Sequence, residues 1–299
     1  MSELSRPACS RLDDLAILAL EGPDAEAFLH SQITNAVQGL PDDHARLAAY
    51  CSAQGRMLVN LVVWRAGPEA FRLMLARDLA ETVARRLSMF VLRAKVRIWR
   101  EDGLHVHGCT DSDDAPVMAP WMRCQDADGD WIAAPSHDAR ARAWRVSDRP
   151  LSVDPDGGAW HAADLAAGLP WIRAATQDLF LPTALDMDLN GGIDFGKGCY
   201  PGQEVIARAH YRGAVKRRMA YGTATWPEGH PLPQPGDDLF EAGGGERPVG
   251  RVIDLARVAD TVHAAVEITL SDWPATRYAL ASPGGPALSL VPPRAAAPA

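Results

Sequence analysis

GKGCYPGQEVIARAHYRG, residues 196–213, sets a lone cysteine between glycines, after a lysine and ahead of a Pro-Gly turn. Two readings compete: a buried structural thiol beside a turn, or a thiol held out for chemistry. Pro201 and Gly202 occupy the positions a type II turn wants. From Glu204 onward the residues alternate, so a strand would put Ile206, Arg208, His210 and Arg212 on one face. Val205, Ala207, Ala209 and Tyr211 would take the other. The turn would then fold a basic face back towards Cys199. Lys197 and Arg208 would favour thiolate over thiol, which makes the sulfur a nucleophile and a metal ligand. Gly198 and Gly202 permit a ligand to approach the backbone closely.

Just upstream, GGIDFGKG (191–198) imitates a phosphate loop, with Gly191, Gly196 and Lys197 at GxxxxGK spacing. Gly198 stands where a nucleotide site needs a hydroxyl for magnesium, and no helix is expected to follow. Nucleotide hydrolysis is therefore disfavoured. Further back, HVHGC would place His105, His107 and Cys109 on one strand face, but no fourth zinc ligand is evident. Ordinary strand residues explain that spacing as well.

The remaining chain reads as alternating strands and helices. LAILAL (15–20) is strand-like, and Gly22-Pro23-Asp24 opens a helix with Ala25, Phe28, Leu29, Gln32 and Ile33 on one face. RMLVNLVVWR (56–65) and FRLML (71–75) form a hairpin. A helix over 78–90 has Asp78 as its N-cap, and LRAKVRIWR (92–100) alternates as a strand. This order indicates α+β. After about residue 215 the chain alternates turn residues with short apolar runs, as a small β-barrel does. The tail VPPRAAAPA is expected to fray.

Composition narrows the function classes. At 299 residues the chain suggests about two domains, and 47% hydrophobic with 23% charged residues is ordinary for a globular protein. The net charge of −8 argues against general nucleic-acid coating. It is uneven, since residues 194–218 carry six Lys/Arg and two acids, leaving them +4 and the rest −12. A basic island in an acidic protein suits a local anionic ligand, as it suits a solvated charged turn. Five cysteines, widely spaced and without a CxxC pair, indicate no disulfide framework. The N-terminal apolar run of six residues is too short for a signal or a membrane span, so a reducing cytoplasm is the simplest compartment.

The motif resembles the signature of the folate-binding YgfZ family, relatives of the glycine-cleavage T-protein. The family pattern K-G-C-Y-x-G-Q-E, a variable pair and A-R is matched by Lys197, Gly198, Cys199, Tyr200, Gly202, Gln203, Glu204 and Ala207-Arg208. The likeness runs through GPDAEAFLHSQITNAVQGL, AAYCSAQGRMLVNLVVWR and LAAGLPWIRAATQDLFLPTALDMDLNGGIDFGKG, covering most of residues 12–218. It implies α+β subdomains ringed around a central folate channel, a T-protein-like region over 10–213 and a β-barrel over 214–293. It also implies tetrahydrofolate or a related reduced folate as cofactor, with a role in maintaining or assembling iron–sulfur proteins. In bacterial relatives that role shows through iron–sulfur-dependent tRNA-modifying enzymes. The partners implied are folate and client iron–sulfur proteins or assembly factors, with no membrane and no direct nucleic acid. The essential cysteine maps to Cys199, and Lys197, Tyr200, Gln203, Glu204 and Arg208 are its motif companions.

Two departures stand out. Relatives often stack folate between two tryptophans; one maps to Trp160, but the other falls at Leu15. Relatives also tend to read P-Q-x-x-N where this chain has Pro182, Thr183 and Asp186. Two rival functions remain. A T-protein-like aminomethyltransferase needs an acidic pair where this chain has Val59 and Asn60, and neither can be a carboxylate base. An RNA-binding module could use the basic island, but no stacking platform of recognisable spacing accompanies it.

Overall fold

The structure, a computed structural model, describes residues 9–112, 114–151, 156–211 and 215–294. Arg212 and the last five residues of the tail lie outside the described residues.

The N-terminal half builds two antiparallel sheets. After β1 (Cys9–Arg11) and β2 (Leu15–Glu21) come α1 (Ala25–His30), β3 (Ala45–Cys51), β4 (Met57–Gly67), β5 (Ala70–Ala76), α2 (Arg77–Ser88) and β6 (Arg97–Arg100). One sheet has the order β3-β4-β5-β2-β6. β2 and β4 are near-continuous apolar runs because both of their faces are covered. α2 packs on one face with Leu79, Ala80, Val83 and Leu87. Trp64 on β4 is fully buried, and its indole donates to Asp130 of the second sheet at 3.0 Å. That sheet has the order β1-β7-β10-β9-β8, from β7 (His105–Thr110), β8 (Arg123–Asp126), β9 (Gly129–Ala133) and β10 (Arg142–Ser147).

α3 (Gly158–Ala166) and α4 (Gln203–Tyr211) precede a closed six-stranded barrel. It comprises β11 (Arg217–Thr225), β12 (Asp238–Glu241), β13 (Gly250–Val258), β14 (Thr261–Thr269), β15 (Tyr278–Leu280) and β16 (Ala287–Leu290). The α+β class and the C-terminal barrel are as the sequence indicates. The barrel has its own core around Val252, Val262, Val266 and Tyr278. Met219, Ile253, Ala256 and Ala265 belong instead to the core of the N-terminal half.

Four expectations are corrected. Residues 203–211 are helical rather than extended. Val205, Ile206 and Ala209 satisfy an i, i+1, i+4 stripe as well as an alternation, and the alanines favour helix. The fully buried Ile206 is the residue the stripe turns inward. Residues 92–96 do not join the sheet, because the Lys95 amide donates to the Asp24 carboxylate at 2.7 Å and its carbonyl receives the Asp24 amide. β6 therefore begins only at Arg97. The residue capping α2 is Ala76; Asp78 instead accepts the Ala174 amide at 2.8 Å. Finally, one disulfide is present. Register sets Cys9 of β1 directly opposite Cys109 of β7, and the two are bonded. That bond takes Cys109 out of the His105/His107/Cys109 ligand set.

No helix among the described residues is long and apolar enough to cross a membrane.

Candidate functional site

The turn carrying Cys199 is fixed from a distant part of the chain. Gly202 has φ +81°, and a Cβ there would lie 2.5 Å from Gly55 Cα and 2.6 Å from the Ser52 carbonyl oxygen. No other residue fits that approach. The β3–β4 turn thus docks against the start of α4, with Val205 packed over Gly55. Ser52 in turn donates to the Asp178 carboxylate at 2.8 Å. The residues ahead of the motif are tied just as firmly. Thr34 donates to the Gly192 carbonyl at 2.7 Å, and Asn35 donates to the Gly191 carbonyl at 2.7 Å. The sequence reading missed these anchors, having run the α1 face on through Ile33 when the helix ends at His30.

On this frame Cys199 is exposed. Lys197 donates to the carbonyls of His30 and Ile33, the latter at 2.7 Å, and its ammonium sits 4.8 Å from the centre of the Tyr200 ring. Burial pushes Lys197 down to about 8, against the attraction of Asp194 and Cys199, so it is still mainly cationic at neutral pH. Tyr200 is buried, with its hydroxyl unpartnered and its pKa raised by burial. The structure thus brings Lys197, Cys199 and Tyr200 together. It does not bring Arg208 to the thiol: that side chain is exposed on α4, with no ion pair or hydrogen bond among the described residues. Glu204 is exposed in the first turn of the same helix, and the Gln203 amide closes the preceding turn onto Tyr200. A helix does follow GGIDFGKG, contrary to the strand reading, but Gly198 still offers no hydroxyl for a nucleotide metal.

Behind α4 lies an ionic cluster that sequence reasoning did not find. Arg218 on β11 donates to Asp186 at 3.1 Å and to both oxygens of Asp188 at 2.6 and 2.9 Å, while His210 approaches Asp188 at 3.5 Å. Asp186 has a left-handed backbone (φ +55°), and its Oδ2 is buried without a partner. Burial, with Asp188 adding to it and Arg218 opposing, raises Asp186 from 3.8 to about 6. The fold therefore holds a proton that the unfolded chain releases, and this group's stabilisation is present at low pH and lost as pH rises through about 6. Asp186→Asn should remove that dependence. Urea midpoints across the interval should show the variant gaining on the wild-type protein as pH rises, and a constant difference would refute the assignment.

Trp160 and Leu15 sit elsewhere in the same core. Leu15 is buried on β2 opposite Ala76. Trp160, on α3, is 4% exposed and presses on β7 so closely that a Cβ at Gly108 would lie 2.1 Å from its ring. Its ring centre is 6.0 Å from that of Trp144, which is 6.1 Å from that of Trp121. Arg142 lies over the Trp160 ring at 4.0 Å and pairs with Asp164 at 2.5 Å. Asp164 also accepts from the Trp171 indole. The indole N–H groups of Trp144 and Trp160 and Nε of Arg142 are buried without acceptors. Buried donors of this kind are rare and call for an explanation. The ring nitrogens and carbonyl of a pterin are acceptors of the kind these donors lack. Nothing among the described contacts joins this cluster to Cys199.

Asn60 has a different task. Its amide donates to the Pro170 carbonyl at 2.9 Å and accepts from the Ile172 amide at 2.8 Å. Both ends clamp residues 170–172, and no carboxylate stands at this position or at Val59.

No family model matches the chain. It is 34% identical to the tRNA-modifying protein YgfZ of Klebsiella pneumoniae, over 83% of this chain and 81% of that protein. It is 32% identical to the tRNA-modifying protein YgfZ of Edwardsiella ictaluri, over 89% and 85%. The crystal structure of glycine cleavage system aminomethyltransferase T from Bartonella henselae superposes with a TM-score of 0.60 at 13% identity, covering 95% of this chain and 85% of that one. That likeness shows the fold. On sequence and fold together, the chain belongs to the YgfZ family.

Proposed function

We propose that this protein is a reduced-folate-binding accessory factor for iron–sulfur proteins, supporting tRNA modification through the enzymes it serves. The observation that carries the reading is Cys199, an exposed thiol on a turn fixed by the Gly55–Gly202 contact, with the Lys197 ammonium within electrostatic reach. An accessible sulfur next to a fixed cation is suited to ligating iron or attacking a sulfur centre on a client protein. Trp144, Trp160 and Arg142 would hold the pterin of a reduced folate, which supplies a one-carbon carrier when bound. The chain's own part is to exclude water around that ring and offer the unpartnered donors. A cytoplasmic setting suits iron–sulfur maintenance.

Titration with tetrahydrofolate should quench tryptophan fluorescence saturably, and Trp160→Phe, which keeps a ring but removes the indole N–H, should weaken binding by up to about tenfold, the worth of one hydrogen bond. No binding at millimolar folate overturns the folate assignment. In cells lacking the native protein, the chain should restore the iron–sulfur-dependent nucleosides of bulk tRNA. The aminomethyltransferase alternative is tested separately. Offered an aminomethyl-loaded carrier, the purified protein should form no methylene-tetrahydrofolate, because Asn60 is committed to the backbone at 170–172.

A further inference from the structure

As a helix, residues 203–211 do something a strand could not: they bring His210 and Tyr211 to Phe195 together. The His210 ring stacks on Phe195 at 4.0 Å with 18° between planes. Tyr211 meets Phe195 at 67° and His210 at 80°. Asp188, gripped by Arg218, approaches His210 and limits its rotation. Tyr211 itself is 69% exposed. The result is an aromatic ring braced from inside and open to solvent.

Cations flank it. Arg208 is exposed one turn earlier on the same helix. Ala209 lines a cavity of about 350 Å³ with Arg56, Lys216, Arg217 and Glu267. Arg217 pairs with Glu267 at 3.0 Å, and Arg56 donates to the Leu179 carbonyl. The ammonium of Lys216, like the Arg208 guanidinium, has no side-chain partner among the described residues. The neighbouring cavity of about 760 Å³ shares Arg56 and Arg217, but there Arg247 and Arg251 face Asp238, Glu241 and Asp272. The cationic stretch therefore ends near α4.

We infer that the C-terminal end of α4 is a binding platform for single-stranded RNA, with an unpaired base stacked on Tyr211 and phosphates held by Arg208, Lys216 and Arg217. Aromatic stacking beside a short cationic groove is the usual way such strands are held without sequence readout. A protein partner would want a broader apolar patch, and on α4 only Val205 joins Tyr211 among the exposed large apolar side chains. The site needs neither folate nor Cys199, so it stands or falls apart from the accessory role.

The probes are a fluorescein-labelled single-stranded oligoribonucleotide and unmodified tRNA, titrated with the full chain and read by anisotropy. Binding should saturate at low salt, with log K falling against log salt at a slope of about −2, as three phosphate contacts to a single strand give. Tyr211→Ala should weaken binding about tenfold or more while the far-UV circular dichroism is unchanged. Lys216→Gln should reduce the slope by about 0.7. Cys199→Ser should bind RNA like the wild-type protein. No saturable binding at low salt would overturn the proposal, as would loss of binding in Cys199→Ser. Full RNA affinity in Tyr211→Ala would also overturn it and reassign the exposed face to a protein partner.

Discussion

Replacing Cys199 by serine should leave the protein folded and abolish the proposed support of iron–sulfur enzymes. The side chain is exposed and makes no hydrogen bond among the described residues, so exchanging sulfur for oxygen disturbs no packing. The turn holding it depends on Gly55, Gly202 and Lys197, all of which remain. Serine keeps the size of the group and loses its ligating and nucleophilic power at neutral pH. Alkylation offers an independent reading. Cys51 is buried, and burial pushes its thiol up; Cys124 is half-buried and raised in the same way; Cys9 and Cys109 are bonded to each other. Each unit of pKa lowers the thiolate fraction about tenfold. Cys199, the exposed thiol, should therefore label well ahead of the buried Cys51. Full complementation by the serine variant, with Cys199 labelled only after denaturation, would reduce this thiol to a structural role.

Asp164→Ala should cost about 3–5 kcal/mol, the usual result of leaving one member of a buried ion pair without its partner. Both side chains of the Arg142–Asp164 pair are 1% exposed. Arg142 also donates to the carbonyls of Pro135 and Trp160, so removing Asp164 strands its charge beneath α3 with only dipoles to meet it. The Trp171 indole loses its acceptor as well. The double variant Arg142→Leu/Asp164→Leu should recover much of the loss, because two apolar groups carry no stranded charge. Chemical denaturation of the three proteins tests this. A cost below about 1 kcal/mol for the single variant would mean that the pair is solvated in solution.

The secondary structure was legible where one signal dominated. Continuous apolar runs announce β2 and β4, because strands covered on both faces need no polar alternation. Turn residues between short apolar runs announce the barrel. Residues 203–211 were misread because their polar and apolar order satisfies two periods at once. What decides between them is Gly202 against Gly55, a contact between residues 147 positions apart that no local window contains. Capping of α2 failed for a similar reason, since Asp78 is engaged by Ala174 from another part of the chain. At the site, the motif residues were visible and their surroundings were not. Lys197 is positioned by backbone carbonyls at His30 and Ile33, and carbonyls carry no sequence signature. Arg208 matched the motif, yet it lies exposed on a helix rather than on the strand that would fold it back towards the sulfur.

The strand β13 slips register between Val252 and Asp254, so that one extra residue, Ile253, enters the N-terminal core while Asp254 turns towards α3. Such a bulge re-aims the side chains beside it. Here the redirected carboxylate accepts from the Trp171 amide at 2.8 Å, meets His161 at 2.7 Å and lies 3.9 Å from Arg173. The barrel is consequently no interchangeable module. A fragment ending at residue 213 would lose the acceptor for the Trp171 amide and the anion opposite His161. A barrel transplanted from a protein lacking that single-residue insertion would present the wrong side chain to the join. Cut apart, each half loses the Asp254 contacts that join it to the other.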